Sequence, residues 1–247
     1  MIAGIFHNGS GLGNQLHRYV FARTKAADLG VPFGMIFPEN FKGASFMNLD
    51  MGKVENLRDE FNEQKVVNDV GNDIRPYDER VKDIKDFTLV DGEFQDERYF
   101  EHRLEDIREW LKVQPLYVPD DLCIINFRGG EYVGVPDLFL PKEYWNKAQQ
   151  QMQIKNPGIR FEVHTDDVET ARKFFDWHCI HDIDFNWRSI RYAKHLILSN
   201  SSFAILPALL GNAKDIIVPK FWAGYNKGYM QMQQNVYKRF TYIHHED

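Results

Sequence analysis

The sequence predicts an α/β protein built on parallel sheets. An apolar, β-compatible segment at residues 1–6 leads through the glycine turn "GSGLGN" into a helical pattern and then into a second apolar segment, "VPFGMIF". A strand, a helix and a strand in this order form a βαβ unit, whose two strands are parallel. The alternation resumes at "LCIINF", and the chain of 247 residues, 43% hydrophobic and 27% charged, has the composition of a globular protein.

The first domain is predicted over residues 1–115. Asn14 is the predicted N-cap of its first helix and Gly30 the C-cap. Residues 41–86 are polar and weakly periodic, which predicts short elements at best, and a strand follows at 87–90. A helix is predicted over 96–112 because its apolar residues fall on one helical face. These residues are Phe100, Leu104, Ile107 and Leu111.

The second domain is predicted over residues 116–247, after the two prolines of "VQPLYVPDD". Helices are predicted in "PKEYWNKAQQQMQIK" and "VETARKFF", and strands in "LCIINF", "IRFEVHTDD" and "DIIVPKFW". "HLILSNSS" is predicted to be a strand that enters a short helix. Polar residues follow the strands: Arg128, Asp166, Asp167, Asn200 and Ser201. Ligands of open α/β sheets bind outside the carboxyl ends of the strands, so this edge is the predicted site.

Composition narrows the functional classes. The net charge of −6 and the pI near 5.9 argue against a sequence-independent nucleic-acid binder. Cys123 and Cys179 are too few for a disulfide framework, which favours a reducing compartment. No apolar run is long enough to span a bilayer and no signal peptide is evident, so the expected location is cytoplasmic.

The glycine turn has the features of an anion-binding loop, although a plain tight turn is the alternative. A dinucleotide fingerprint needs glycine at its first, third and sixth positions, whereas Gly9, Gly11 and Gly13 occupy the first, third and fifth. Asn14 stands at the sixth, and no Gly-Lys-Ser/Thr follows. This pattern argues against an NAD-dependent oxidoreductase. Glycines at a helix N-terminus still allow a phosphate to approach free N–H groups.

The polar strand ends of the second domain each allow a functional and a structural interpretation. Arg128 offers a planar fork of donors suited to a diphosphate, or it forms a surface salt bridge. Asp166 and Asp167 can bind a ribose or a guanine edge, or cap the following helix. Ser201 and Ser202 can bind an anion at the next helix, or cap it.

Two further segments are predicted to have no catalytic or metal-binding role. "HCIHDID", residues 178–184, contains an Asp-x-Asp that could hold a divalent metal, but the sequence favours a solvated turn, and no metal site is expected. "HHED", residues 244–247, is predicted to be a frayed polar tail.

Taken together, the motifs resemble those of the α-1,2-fucosyltransferases (glycosyltransferase family 11-like) and their wider fucosyltransferase relatives. The family motifs "GGLGNQ", "HxRRGDY", "FSDD" and "ISNSSFSWWGA", followed by "P..W", correspond in order to five segments of this chain. These segments are "SGLGNQLHRYVFAR", "NFRGGEY", "VHTDD", "LSNSSFAILPALL" and "IIVPKFW". "FQDERYF" is also similar to the family's "FQSEKYF", and the resemblance covers roughly residues 2–222.

The resemblance implies a GT-B-like architecture, with two Rossmann-like domains facing a cleft, the first on the acceptor side. It implies inverting, metal-independent transfer of fucose from GDP-fucose to a sugar hydroxyl of a glycan, without a cofactor. It assigns Arg128 to the diphosphate, Asp166 or Asp167 to the nucleoside, and Asn200, Ser201 and Ser202 to the phosphates. From the first domain it assigns Gly11, Gly13, Asn14 and Gln15 to the donor.

The departures from the family pattern lie in the central motif. Its His, second Arg and Asp are replaced by Asn126, Gly129 and Glu131, and the tryptophans of "FSWWGA" are absent. A different nucleotide-sugar, or a non-catalytic glycan- or nucleotide-binding module on a degenerate transferase fold, therefore remains an alternative.

Glycosyl transfer also places physical demands on the site. Negative charge builds on the leaving diphosphate, and without a metal Arg128 and helix N-terminal amides must stabilise it. The attacking hydroxyl needs a base, for which Glu131, His7 and His17 are candidates. Asn14, at the glycine turn, is expected to reach the donor, so Arg128, Glu131 and Asn14 form the predicted catalytic set.

Overall fold

The computed structural model describes residues 1–67, 73–225 and 237–244. The chain divides into two compact units, Met1–Val113 and Gln114–Asp247, where the sequence predicts a boundary after residue 115. Both units are α/β and contain a parallel sheet, so the predicted fold class is confirmed. Residues 245–247 of the predicted polar tail lie outside the described residues.

The sheet of unit 1 is parallel throughout. In its described part it has four strands, in the order β2-β1-β6-β3. The strands are β1 (Ile2–Ile5), β2 (Phe33–Ile36), β3 (Asp59–Asn62) and β6 (Thr88–Asp91). A small antiparallel pair joins β4 (Val66–Val67) and β5 (Asp73–Ile74). Helix α1 (Leu12–Leu29) connects β1 to β2 and completes the predicted βαβ unit.

Helix α1 begins earlier than predicted. Its N-cap is Gly11, whereas Asn14 lies within the first helical turn. Leu12 and Leu16 are both buried, so the apolar face of the helix extends past Asn14 toward its N-terminus. The helix ends at Gly30 as predicted, in the left-handed conformation (φ 65°) that glycine adopts without a steric penalty.

The predicted helix over 96–112 is broken into three pieces. Two 3₁₀ turns, Glu97–Tyr99 and Glu101–Arg103, precede helix α2 (Leu104–Trp110). The break falls at Phe100, whose backbone is not helical (φ −146°) and whose ring is fully buried. Of the predicted stripe, Phe100, Ile107 and Leu111 are buried and Leu104 is half-buried. The spacing therefore predicted most of the burial but not helical continuity.

The sheet of unit 2 is also parallel. Six strands of its described part lie in the order β12-β11-β10-β7-β8-β9. They are β7 (Leu122–Phe127), β8 (Arg160–Thr165), β9 (Cys179–Ile180), β10 (His195–Leu198), β11 (Asp215–Pro219) and β12 (Thr241–Ile243). The helices are α3 (Lys142–Lys155), α4 (Val168–Ala171), α5 (Ile183–Tyr192) and α6 (Ser202–Leu210). Helix α4 is shorter than the predicted helix in "VETARKFF".

The segment "HCIHDID" is not a solvated turn. It forms strand β9 and then leads into α5, which the sequence did not predict. Asp182 is the N-cap of α5 and accepts a hydrogen bond from Phe185 N (2.7 Å), while Asp184 pairs with Arg188 one turn later. Both carboxylates of the Asp-x-Asp therefore stabilise the start of a helix. No helix in the described part of the chain is both long and apolar enough to cross a membrane.

Candidate functional site

The candidate site of unit 2 lies where β7 and β8 end. Phe127 and Thr165 are register partners, so Arg128 and Asp166 leave adjacent strands at the same edge. Arg128 donates from Nη1 to the Asp166 carboxylate and from Nη2 to Glu131 Oε1 (2.8 Å). Its guanidinium carbon also lies 5.1 Å from the centroid of the Tyr132 ring. These contacts hold the guanidinium in place. Because the side chain is 30% exposed, its charge is still accessible to solvent.

Two glycines bring backbone amides against the aspartates. Gly129 N donates to Asp166 Oδ1 (2.9 Å), and Gly130 N lies 3.3 Å from Asp167 Oδ2. A Cβ at position 129 would lie 2.7 Å from the Asp167 Cβ, and one at 130 would lie 2.6 Å from Asp166 Oδ2. Gly130 also has a φ of 46°, which side chains disfavour. Glycine at 129 is therefore required by the close approach of Asp167.

The two aspartates have different roles. Asp167 caps α4, since its Oδ1 accepts a hydrogen bond from Thr170 N (3.0 Å). Hydrogen bonds from Thr170 lower the pKa of the Asp167 carboxyl, so the ionised form is favoured. Asp166 instead faces Arg128. Asp167 is therefore the helix cap, and Asp166 forms an ion pair with Arg128.

The third polar strand end follows β10, which is the neighbour of β7 in the sheet. Ser199 Oγ donates to Asn126 Oδ1 (2.9 Å), and both side chains are buried. Asn200 Nδ2 donates to the carbonyls of Leu138 (2.8 Å) and Trp222, so this amide holds two loop segments together. Ser201 is the N-cap of α6, but its hydroxyl makes no capping bond. Ser202 is the first residue of that helix.

In unit 1, both polar atoms of the Gln15 side chain form hydrogen bonds to the protein backbone. It is fully buried, its Nε2 donates to the Asn40 carbonyl (2.7 Å), and its Oε1 accepts from Lys42 N (2.9 Å). Asn14 Oδ1 accepts from Gln95 Nε2 (3.1 Å). Gln15 therefore fixes the loop that follows β2.

The three positions of the turn that hold glycine differ in whether the backbone requires a glycine there. Gly9 has a φ of 80°, a conformation that favours glycine, whereas Gly11 has an ordinary φ of −66°. A Cβ at either position would meet no atom within 4 Å. Gly13 is buried in α1, and its carbonyl accepts a hydrogen bond from His17 Nδ1 (2.8 Å). Of these three glycines, only Gly9 has a backbone conformation that requires glycine.

The three candidate bases lie in different environments. His17 is fully buried, and burial lowers its pKa to about 4, so it is neutral at physiological pH and out of reach of a solvent-borne substrate. Glu131 is 76% exposed and paired with Arg128. His7 follows β1 and contacts Asp91 at the end of β6, with Nε2 2.8 Å from Oδ1 and 3.0 Å from Oδ2.

Sequence reasoning missed three supporting residues of the unit 2 site. Tyr132 lies against the Arg128 guanidinium. Thr165 Oγ1 accepts a hydrogen bond from Asp167 N (2.9 Å), and Asn186 of α5 lies with Nδ2 3.3 Å from the Thr165 carbonyl. Tyr132 is the last residue of the motif "NFRGGEY" and could have been noted there. Asn186 lies on a helix that the sequence did not predict.

Among the described residues, no group of three or more His, Cys, Asp and Glu side chains is arranged to hold a metal ion.

Comparisons with known proteins find similarity among solved structures. No family model matches the chain, and no curated protein matches it significantly. Among solved structures, the E. coli heptosyltransferase WaaC with ADP is similar over 90% of this chain and 88% of that chain, with 12% sequence identity and a TM-score of 0.46. A similarity of this size carries no functional assignment.

Proposed function

We propose that the protein is an inverting, metal-independent glycosyltransferase that transfers fucose from GDP-fucose to a hydroxyl of a glycan. The observation that carries the proposal is the cluster at the carboxyl edge of the unit 2 sheet. There Arg128 is held by Asp166, beside the Gly129 amide, at the end of β7. The sequence resemblance to fucosyltransferases supports the same edge as the donor site.

Arg128 suits a leaving diphosphate because its two partners differ in how firmly they are held. Asp166 is partly buried and also accepts from Gly129 N, so it orients the guanidinium. Glu131 is mostly exposed, and an exposed ion pair is worth only about 0–1 kcal/mol. In the proposed mechanism a phosphate oxygen displaces Glu131 from Nη2, and the arginine then stabilises the charge that develops as the glycosyl bond breaks.

The first turn of α6 is the second proposed contact with the donor. Ser201 and Ser202 stand at the N-terminus of this nine-residue helix, beside the strand that carries Arg128. Free amides at a helix N-terminus favour an anion. The Asn200 amide nitrogen supports two loops, so its contribution to donor binding is to fix this turn.

A second candidate function is a nucleotide- or glycan-binding module without transfer activity. It is favoured by the partners of the altered motif residues. Asn126 is buried against Ser199, and Gly129 leaves no space for the family's second arginine. Use of a different nucleotide-sugar is the other alternative.

A donor screen tests the proposal. GDP-fucose and a panel of GDP- and UDP-sugars are compared by thermal shift, since a ligand that binds the folded state raises its stability. Transfer to glycan acceptors is then measured with and without EDTA. We expect stabilisation by GDP-fucose and transfer that EDTA does not affect. Turnover of another nucleotide-sugar alone would overturn the donor assignment, and loss of transfer in EDTA would overturn the metal-independent mechanism. Binding without turnover would establish the second candidate.

A further inference from the structure

We propose that Asn8 is a site of spontaneous covalent modification, at which the side-chain amide is lost as ammonia and replaced by a mixture of aspartate and isoaspartate. The reaction consumes only water. It takes place in the glycine turn between β1 and α1, and the inference is independent of the proposed transfer function.

The dipeptide Asn8-Gly9 is the reactive element. It is the only place in the sequence where glycine follows asparagine. Deamidation begins when the backbone nitrogen of the following residue attacks the side-chain carbonyl carbon of the asparagine. A glycine at that position has no side chain to hinder the attack, and its backbone reaches conformations that other residues disfavour. The sequence therefore predicts that Asn8 is the most reactive asparagine of the chain.

The fold leaves both reacting groups accessible. Asn8 and Gly9 are exposed and form the central positions of a β-turn, which is closed by a hydrogen bond from Ser10 N to the His7 carbonyl (3.3 Å). Within the described residues, neither the Asn8 side-chain amide nor the Gly9 backbone N–H forms a hydrogen bond. No such contact has to break before Gly9 N approaches the Asn8 side chain.

Gly9 also gives the turn room to rearrange. Its φ is 80°, and a Cβ at this position would meet no atom within 4 Å. The space beside the Gly9 backbone is therefore open, and glycine changes its backbone angles without a steric penalty. Closing a ring between residues 8 and 9 requires such a change, so the turn permits the reaction.

Asn200 is an internal contrast, because it also precedes a small residue, Ser201. It is only 1% exposed, and its Nδ2 donates to the carbonyls of Leu138 (2.8 Å) and Trp222. Loss of this nitrogen would leave two carbonyls without their donor, which is costly inside a packed region. The fold therefore protects Asn200 from the same chemistry that it permits at Asn8.

The proposed step balances with water as the co-reactant. Gly9 N loses its proton to solvent and bonds to Asn8 Cγ, and the Cγ–Nδ2 bond breaks. Nδ2 leaves with the electron pair and takes a proton from water to become ammonia. Water then opens the cyclic imide. Cleavage between Cγ and Gly9 N gives aspartate, whereas cleavage between the Asn8 main-chain carbonyl carbon and Gly9 N gives isoaspartate, whose main chain runs through Cβ and Cγ.

Isoaspartate strains this turn because contacts hold both of its ends. His7 contacts Asp91 at the start of the turn, and Ser10 Oγ accepts from Arg18 Nη1 (2.8 Å) at its end. Arg18 is held in turn by the Gly92 carbonyl, which accepts from its Nε (2.7 Å). An additional main-chain carbon between fixed ends disrupts the bond from Ser10 N to the His7 carbonyl. Aspartate keeps the original backbone, so the isoaspartate product alone is expected to destabilise the fold.

Peptide mapping of the aged, folded chain tests the modification. The protein is incubated at neutral and at mildly alkaline pH, and an unaged sample is digested in parallel. Mass spectrometry follows the peptides that contain Asn8 and Asn200, beside synthetic peptides of the same sequences. We expect Asn8 to gain the mass of an amide-to-acid conversion at a rate close to that of its free peptide, and faster at higher pH because the attacking nitrogen must lose its proton. Asn200 should convert in its free peptide and not in the folded protein. An Asn8 that converts in the free peptide and stays unchanged in the folded protein would overturn the proposal.

Asn8→Gln removes the reaction at an exposed position and should fold as the wild-type protein does. Asn212→Gln is the matched control, since it replaces another exposed asparagine, which precedes alanine. Ion-exchange chromatography should show an acidic species that accumulates in the wild-type protein and in the control, and that is lost in Asn8→Gln. Equal accumulation in Asn8→Gln would assign the modification to another residue.

The effect on the turn is measured on the separated acidic species. Electron-transfer fragmentation distinguishes its isoaspartate form from its aspartate form, and freshly prepared Asn8→Asp supplies the aspartate form directly. We expect the isoaspartate form to have a lower Tm than the wild-type protein, and Asn8→Asp to keep a Tm near that of the wild-type protein. An unchanged Tm in the isoaspartate form would overturn the strained turn, and an equal loss in Asn8→Asp would attribute the effect to the added charge.

Discussion

Replacing Arg128 with alanine tests the donor site most directly. A hydrogen bond to a charged group is worth about 1.5–3 kcal/mol, and the wild-type protein must first release Glu131 from an exposed pair worth about 0–1 kcal/mol. The net contribution of Arg128 to diphosphate binding is therefore about 0.5–3 kcal/mol. Since each 1.4 kcal/mol is tenfold, we expect Arg128→Ala to raise the Kd for GDP by about 2- to 140-fold.

The assay is isothermal titration calorimetry with GDP at fixed ionic strength. Arg128→Lys keeps the charge but loses the planar fork, so its Kd should be intermediate. Arg160→Ala is the matched control, because Arg160 pairs with both oxygens of Asp121 (2.9 and 3.0 Å) at the opposite end of β8. A wild-type Kd for Arg128→Ala would refute the reasoning, as would an equal loss in the control.

Glu131→Gln tests the displacement step on its own. Removing the carboxylate that competes for Nη2 should lower the Kd for GDP by up to about 5-fold, in keeping with the value of an exposed ion pair. Weaker GDP binding by this variant would show instead that Glu131 supports the donor and is not displaced by it.

Three further predictions concern stability. Gly130→Ala places a Cβ 2.6 Å from Asp166 Oδ2 at a φ of 46°, so chemical denaturation should show that the free energy of unfolding falls by about 1–2 kcal/mol. Gly134→Ala is the control and should be nearly neutral, because a Cβ there would meet no atom within 4 Å. Phe37→Gly should be more stable than Phe37→Ala by about 1 kcal/mol, because both remove the ring and only glycine tolerates the left-handed backbone; the reverse order in urea denaturation would contradict the strain. Burial lowers the pKa of His17 from 6.5 to about 4, so below pH 6.5 the unfolded chain binds a proton that the folded chain does not, and stability should fall by up to about 3 kcal/mol as the pH drops to 4. Urea midpoints at pH 7 and about 4.5 measure this fall, and His17→Gln should flatten it.

Local pattern was sufficient where one segment decides its own structure. The strand and helix alternation around Gly9 and Gly30 predicted the first βαβ unit, because apolar periodicity and glycine caps act within a few residues. The polar residues after β7 and β8 were identified for a related reason. Parallel strands end at one edge, so Arg128 and Asp166 were expected there before any contact between them was known.

Local pattern failed where distant residues decide the outcome. Helix α5 is an exception, since Ile183, Trp187 and Ile190 stand at helical spacing and could have predicted it. Strand β3 has the sequence "DEFN", and its place in the sheet comes from pairing with β6. Phe100 interrupts a predicted helix because its ring is drawn into the core, which outweighs helical propensity.

By itself, the sequence determined the α/β class, the glycine turn and the residue types that stand at the strand ends. The tertiary structure alone decided which of those residues act together. It paired Arg128 with Asp166 and assigned Asp167 to a helix cap. It also placed His7 beside Asp91, 84 residues away. The physical reason is range: periodicity and capping act over one or two turns, whereas the partner of a charged side chain is set by strand order and register across the whole sheet.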